Sequence, residues 1–159
     1  MKCFECGSRM KTARENFRYG SSGLPVTLVG VDVSRCAACG EFEVAIPRIE
    51  ELHRAIAMEV IRKRARLTAK EVRYLRKYLG WLSTEFARHM GVSVGAVSRW
   101  ENGRDKMGAV ADRLLRLMVA HGPPDSDYSL DELTEIVEKD AAPLKLGMRV
   151  DREGWQKAA

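Results

Sequence analysis

The four cysteines of this chain constrain its fold more than any other feature, because they occur as two pairs with identical spacing. Cys3 and Cys6 form the first Cys-x-x-Cys-Gly motif, and Cys36 and Cys39 form the second, with 29 residues between the pairs. The glycine after each pair permits the positive φ of a tight turn whose backbone N–H groups point at the thiolates. Four such thiolates form the tetrahedral sulfur shell that a structural zinc ion prefers, so we predict one Zn2+ per chain.

A closed shell of four sulfur ligands leaves no coordination position for water. The metal is therefore expected to stabilise the fold rather than to catalyse a reaction. Two alternatives stay open at this point. A Cys-x-x-Cys pair can cycle between dithiol and disulfide, which would make the site redox-active. Iron is also compatible with four thiolate ligands.

The segment around the cysteine motifs, residues 1–47, is predicted to be a small zinc-binding domain of short strands and turns. Strands are expected over residues 15–19 and 25–33, on either side of the Gly-Ser-Ser-Gly sequence at 20–23, which is typical of a hairpin. Residues 42–46 would add a third strand.

Helices are predicted after this domain. Residues 48–66 carry apolar side chains at helical spacing among charged ones, which indicates an amphipathic linker helix. A capping box of Thr68 and Glu71 then opens a helix that stops before Gly80. Three short helices are expected to follow, at residues 83–90, 94–102 and 109–121.

Residues 67–122 are thus expected to form an all-helical domain. Beyond it, residues 123–159 are predicted to be an acidic C-terminal extension in which a second capping box, Ser129 to Glu132, opens one more helix.

The order of small and apolar residues over positions 83–102 is typical of a helix-turn-helix. Ala87 is small where two helices must cross closely, Gly91 supplies the turn, and Ser93 is a natural N-cap for the second helix. The side chains expected to form the core of the motif are Phe86, Met90, Val92, Val97 and Trp100. The expected fold class is therefore α+β: a zinc-bound β-hairpin domain followed by an all-α helix-turn-helix domain of the Xre or lambda-repressor-like type.

The outward face of the second helix is the predicted DNA-reading surface, and Arg99 is its main base-reading candidate. An arginine there can bond the O6 and N7 atoms of guanine in the major groove, while Ser98 would contact a base edge or a phosphate. The remaining residues of this face are Ser93, Val94 and Gly95. Phosphate contacts are expected from Ser83, Thr84, Arg104 and Lys106.

A less specific alternative is a helical core without DNA binding, in which Arg99 pairs with Glu101 or Glu85 on the surface. The agreement of the small, glycine and apolar positions favours the helix-turn-helix interpretation, and the charge distribution is compatible with it. The chain carries a net charge of +5, bases outnumber acids in residues 67–122, and acids outnumber bases in residues 123–159. An excess of base in one segment suits a polyanionic partner.

Other classes of protein are not supported by the sequence. It has no apolar run long enough for a membrane span and no apolar signal segment at its start, which predicts a cytoplasmic protein. No nucleophile, base and orienting residue occur together, and the three histidines sit singly, so no enzymatic activity is predicted.

The combination of motifs resembles the YgiT/MqsA family of zinc-finger plus Xre-type helix-turn-helix antitoxins. The resemblance covers about residues 1–122 and rests on the two Cys-x-x-Cys-Gly motifs, on the sequence over 67–77 and on that over 97–103. It implies a type II toxin-antitoxin antitoxin whose zinc domain neutralises a partner toxin, often an mRNA-cleaving RNase. It also implies that a homodimer represses its own operon at a palindromic operator.

The resemblance assigns operator reading to Arg99, but the chain departs from the family at two positions. Gly95 stands where the family has an asparagine that assists the arginine, which puts the operator sequence in doubt. Ser83 stands where Xre proteins often have a glutamine that contacts phosphate. Two other functions are compatible with the residues: a stand-alone zinc-containing Xre-type transcriptional regulator, and a redox- or metal-responsive repressor.

Overall fold

A computed structural model of the chain describes residues 1–121, 136, 148–152 and 154–157. Its architecture is α+β, as predicted: a three-stranded antiparallel sheet that carries the cysteines is followed by five helices. The strands are β1 (Met10–Tyr19), β2 (Val26–Cys36) and β3 (Phe42–Val44). The helices are α1 (Ile49–Arg62), α2 (Ala69–Tyr78), α3 (Ser83–Met90), α4 (Val94–Glu101) and α5 (Ala109–His121).

The sheet has the order β1-β2-β3 and is dominated by the β1–β2 hairpin. Its register runs from Met10 opposite Cys36 at one end to Tyr19 opposite Val26 at the other. A single 3-10 turn over Gly20–Ser22 joins the two strands, and Gly23 ends it with a φ of 71°. The predicted hairpin is confirmed, but both strands extend further toward the cysteines than the sequence pattern indicated.

The short third strand also differs from its prediction. It ends at Val44 rather than at residue 46, although the Ala45 N–H still donates to the carbonyl of Asp32 at 3.0 Å.

The helices begin and end close to their predicted positions because capping residues mark them. Thr68 and Glu71 form the predicted capping box of α2, and Ser93 caps α4 by accepting from the Ala96 N–H at 3.2 Å. α1 ends earlier than predicted. The Arg116 guanidinium of α5 donates to the backbone carbonyls of residues 61, 63 and 65 and so holds this connection out of the helix.

One buried cluster joins the helices to the turn end of the hairpin. Leu24, just after the turn, and Ala57 of α1 belong to the same core as the side chains of the later helices. The fully buried members of α2 to α5 are Val72, Leu75, Phe86, Val97 and Leu115. The core therefore lies at one end of the hairpin, and the cysteines lie at the other.

Near the C-terminus, β4 (Met148–Asp151) and β5 (Gly154–Lys157) pair as a second, antiparallel sheet that the sequence analysis did not predict. The predicted helix that opens at Ser129 falls almost entirely outside the described residues. No helix in the described part of the chain is long and apolar enough to cross a membrane.

Candidate metal centre and nucleic-acid interface

The four cysteine sulfurs converge at the end of the hairpin that lies away from the helices. The Sγ atoms of Cys3 and Cys39 are 3.6 Å apart, those of Cys6 and Cys36 are 3.5 Å apart, and all four lie within 4.8 Å of one another. Tetrahedral zinc with bonds of about 2.3 Å requires sulfurs roughly 3.8 Å apart. The cysteine set therefore has the ligand type and the spacing of a closed four-thiolate metal site.

The same backbone turn positions both cysteine pairs. In the first, the Gly7 N–H donates to the Cys3 carbonyl at 2.9 Å, and in the second the Gly40 N–H donates to the Cys36 carbonyl at 3.0 Å. Both glycines have positive φ, 73° and 79°, a conformation that a side chain would strain. Because Cys36 ends β2 opposite the start of β1, the strand register brings the two turns together.

The environment of the thiols differs between the two buried and two exposed cysteines. Cys3 and Cys36 are buried, whereas Cys6 and Cys39 are exposed. Hydrogen bonds from the side chain and backbone of Ser8 lower the pKa of the Cys6 thiol to about 6. At Cys39 the backbone of Glu41 lowers the pKa, but the three neighbouring sulfurs outweigh this effect and raise it to about 12.

Full deprotonation of the set would place four thiolates at short range, where they repel one another. A bound cation would remove this repulsion. Deprotonation of the set and metal binding are thus linked.

α3 and α4, over the segment predicted to be a helix-turn-helix, are joined by a tight turn. Gly91 ends α3 in the left-handed region, with a φ of 65°, and turns the chain toward α4. Phe86 and Ala87 of α3 and Val97 of α4 are buried, and Ala87 is 3% exposed. Met90, Val92 and Trp100 are half-buried and pack against the same core, so the expected convergence of these side chains is confirmed.

The residues of the predicted DNA-reading surface lie on the outer side of this pair of helices. Those of α4 and its N-cap are all exposed: Ser93, Val94, Gly95, Ser98 and Arg99. Among the predicted phosphate contacts, Thr84 at the start of α3 and Arg104 and Lys106 after α4 are exposed, and Ser83 is half-buried. The fold leaves this surface accessible.

Arg99 forms an ion pair, although not with the residues that the alternative interpretation named. Its Nε donates to the Asp105 carboxylate at 2.6 Å. Glu101 instead accepts from Arg76 of α2, and the Glu85 carboxylate accepts from the Leu82 N–H at the start of α3. Pairing of Arg99 with Glu101 or Glu85 is therefore wrong.

Sequence reasoning missed three arrangements, since each depends on how the elements pack rather than on a local motif. Arg76 and Glu101 form a buried ion pair between α2 and α4. His53 of α1 bridges the hydroxyls of Tyr19 and Tyr74, at 3.1 Å each. His89 stacks on Trp81. Local spacing in the sequence does not show which residues contact His53 or His89.

Comparison with known families places these features in context. A family model described as the antitoxin component of a bacterial toxin-antitoxin system, MqsA, matches residues 1–127 of the chain. No individually curated protein matches it.

Proposed function

This chain belongs to the MqsA family of antitoxins, and we propose that it neutralises a partner toxin through its metal domain and represses its own operon by sequence-specific DNA binding. The observation that carries the proposal is that one matched span contains both a four-cysteine centre and an α4 whose outer face is exposed. The chain is proposed to act without enzymatic activity and in the cytoplasm, where the operon DNA lies.

The proposed metal is zinc, one ion per chain. Four thiolates at tetrahedral spacing are the ligand set of structural zinc sites, and such a closed site supplies cross-linking of the two turns and no reactive water. On this basis we assign residues 1–47 to the metal domain, 48–66 to a linker helix and 67–122 to the DNA-binding domain, with 123–159 as an acidic extension.

The toxin-binding function is assigned to the metal domain, and the proposed toxin is an mRNA-cleaving RNase. The cysteine end of that domain lies away from the helical core, and the assignment is tested directly by mass. The chain and the product of the neighbouring gene are co-expressed, and the purified complex is weighed by native mass spectrometry. A complex with one zinc ion per antitoxin chain is expected, and a metal-loaded antitoxin that binds no toxin would contradict the assignment.

α4 is proposed to lie in the major groove, with Arg99 reading guanine and Ser98 contacting a base edge or a phosphate. Ser93, Val94 and Gly95 lie on the same face, while Ser83, Thr84, Arg104 and Lys106 are proposed to contact phosphates. A single helix reads only a few base pairs, so we propose a homodimer on a palindromic operator whose half-sites lie a whole number of helical turns apart.

Two arginines permit a matched test of this surface. Arg99→Ala is expected to weaken binding to the operator upstream of the gene by roughly 5-fold to 150-fold, because a bidentate guanine contact contributes about 1–3 kcal/mol. Arg54→Ala removes the same charge from an exposed site on α1 and should leave affinity within about 2-fold. Gel-shift titrations at fixed salt measure both, and equal losses would contradict base reading by Arg99.

A further inference from the structure

We propose that Asp105 positions Arg99 for base recognition and thereby sets how strictly the protein distinguishes guanine at one base pair of each half-site. The inference rests on the proposed DNA-reading function of α4. Asp105 is a positioning residue in this proposal, because its carboxylate acts on DNA through the guanidinium that it holds.

The chain after α4 folds back onto the last turn of the helix and so brings Asp105 to Arg99. The backbone N–H groups of Arg104 and Asp105 both donate to the Arg99 carbonyl, at 2.9 and 3.2 Å. Gly103, with a φ of 71°, makes this reversal possible, and a Cβ atom there would contact the Ala69 side chain of α2 at 3.7 Å. The loop is thus held by the backbone carbonyl of Arg99 and passes close to α2.

The hydrogen bond from Arg99 to Asp105 uses one particular part of the guanidinium. The Nε atom of Arg99, which lies on the side edge of the planar guanidinium, donates to Oδ2 of Asp105 at 2.6 Å. Nη1 and Nη2 form the end edge, and within the described residues neither of them donates a hydrogen bond. The two donors of the end edge can bond the O6 and N7 atoms of guanine together.

Gly95 leaves space for the guanidinium in this orientation. A Cβ atom built at Gly95 would lie 3.5 Å from Arg99 Nη1, so the charged group lies over the glycine one turn back along α4. A longer side chain at this position would occupy the same volume. Gly95 therefore permits this orientation of Arg99, and the carboxylate of Asp105 favours it.

Orientation before binding matters because Arg99 is about half exposed. Its side chain is 49% exposed and that of Asp105 is 52% exposed, so an unpaired arginine here would sample many rotamers. Ordering such a side chain on binding costs about 0.5–1.5 kcal/mol, which corresponds to roughly 2-fold to 10-fold in affinity. The carboxylate also repels phosphate, which disfavours an alternative contact of Arg99 with the DNA backbone.

The test compares full-length, metal-loaded protein with Asp105→Ala, Asp105→Asn and Arg99→Ala. Sites are selected from a random duplex library, and the affinities of the selected site and its single-base variants are measured by competition gel shift. The wild-type protein should select a two-fold symmetric site, and Arg99→Ala should identify the guanine that Arg99 reads. Asp105→Ala should reduce discrimination at that base pair by about 2-fold to 10-fold and leave other positions unchanged.

Asparagine at position 105 keeps an acceptor oxygen, so Asp105→Asn should retain most of the discrimination. Lys106→Ala is the matched control, since loss of a phosphate contact weakens all sequences equally. If Asp105→Ala changes affinity for every sequence by the same factor, the carboxylate is only a charge, and the positioning role is wrong while DNA reading stands. If the wild-type protein selects no sequence, the proposed DNA-reading function is wrong, and this inference with it.

Discussion

At the scale of single residues, the ion pair of Arg76 and Glu101 is notable because both of its charged groups are largely removed from water. The Arg76 side chain is 11% exposed and that of Glu101 is 7% exposed, and they are joined by two hydrogen bonds, of 2.5 and 3.1 Å. Arg76 also donates to the Trp81 carbonyl at 2.7 Å. Taking two charges out of water is favourable only when their hydrogen-bonding capacity is met, and these contacts meet it.

Arg76→Met should destabilise the protein by about 3–5 kcal/mol, because it leaves the Glu101 carboxylate buried without its main partner. Arg73→Met is the matched control. Arg73 also approaches Glu101, at 3.4 Å, but its side chain is 47% exposed, so its loss should cost under about 1 kcal/mol. Urea unfolding of the two variants measures both values, and similar losses would show that the buried pair has no special role.

At the scale of elements, the start of α2 is stabilised by more than its capping box. The Glu71 carboxylate accepts from the Thr68 N–H at 2.7 Å and from the Lys63 ammonium at 2.5 Å. Burial alone would raise the pKa of Glu71, but the hydrogen bonds from Lys63 and Thr68 outweigh it and lower the pKa below 4.5. Glu71 thus joins the end of the linker segment to the first turn of α2.

This lowered pKa predicts a contribution to stability that depends on pH. The contribution of Glu71 is fully present above the unfolded-state pKa, near 4.5, and is lost as the pH falls through the lower folded-state value. Glu71→Gln should therefore destabilise the protein at pH 7 and make its unfolding free energy less sensitive to pH below 4.5. Urea unfolding from pH 7 to 3 measures the difference between the two proteins. A constant difference over this range would contradict the prediction.

The helices could be predicted closely and β1 could not, for a physical reason. Thr68, Ser93 and Gly91 act on neighbouring backbone, so their effect is visible within a few residues of sequence. Most side chains of β1 are exposed on both faces, so no alternation of apolar and polar residues marks its first half. In the metal site the ligands are local pairs and were found, whereas the Asp105 contact with Arg99 depends on how the chain folds back after α4.

At the scale of the whole molecule, the turn end of the hairpin is joined to the helices by a polar bridge beside the apolar core. His53 forms hydrogen bonds of 3.1 Å through Nε2 to the Tyr19 hydroxyl and through Nδ1 to the Tyr74 hydroxyl. Burial, followed by the nearby Tyr19 and Tyr78, raises the pKa of Tyr74 to about 12, so its hydroxyl keeps its proton and donates to the His53 carbonyl at 3.0 Å. His53 of α1 therefore links the sheet to α2.

His53→Ala should loosen this junction, because it leaves both tyrosine hydroxyls without the imidazole between them. A loss of about 1–3 kcal/mol is expected for the docking of the hairpin end. Hydrogen exchange followed by mass spectrometry should show faster exchange at the end of β1 and in residues 20–23. His121→Ala, at an exposed position, is the control. Unchanged exchange at the hairpin end would show that Leu24 and its apolar neighbours hold the junction alone.

Metal removal should act on the opposite end of the hairpin. Apart from the ligands, Met10 is the only other member of the buried cluster described there, which is too small a core to hold two turns together. A chelator should increase exchange in residues 1–10 and 34–41 while the amides of α2 to α5 stay protected, and Cys36→Ser should do the same. If the helices lose protection in parallel, the two ends of the molecule unfold as one unit.

Because the cysteines and the helical core lie at opposite ends of the hairpin, any change of angle at the junction would be magnified at the metal end by the length of β1. Its ten residues span roughly 34 Å, close to the rise of one turn of DNA. A rotation of about 10° where Tyr19 meets His53 would sweep the metal end through roughly 6 Å over that length. A partner bound at the metal end would move with it. A small change of angle at the junction would thus displace that partner by more than the spacing between neighbouring base pairs.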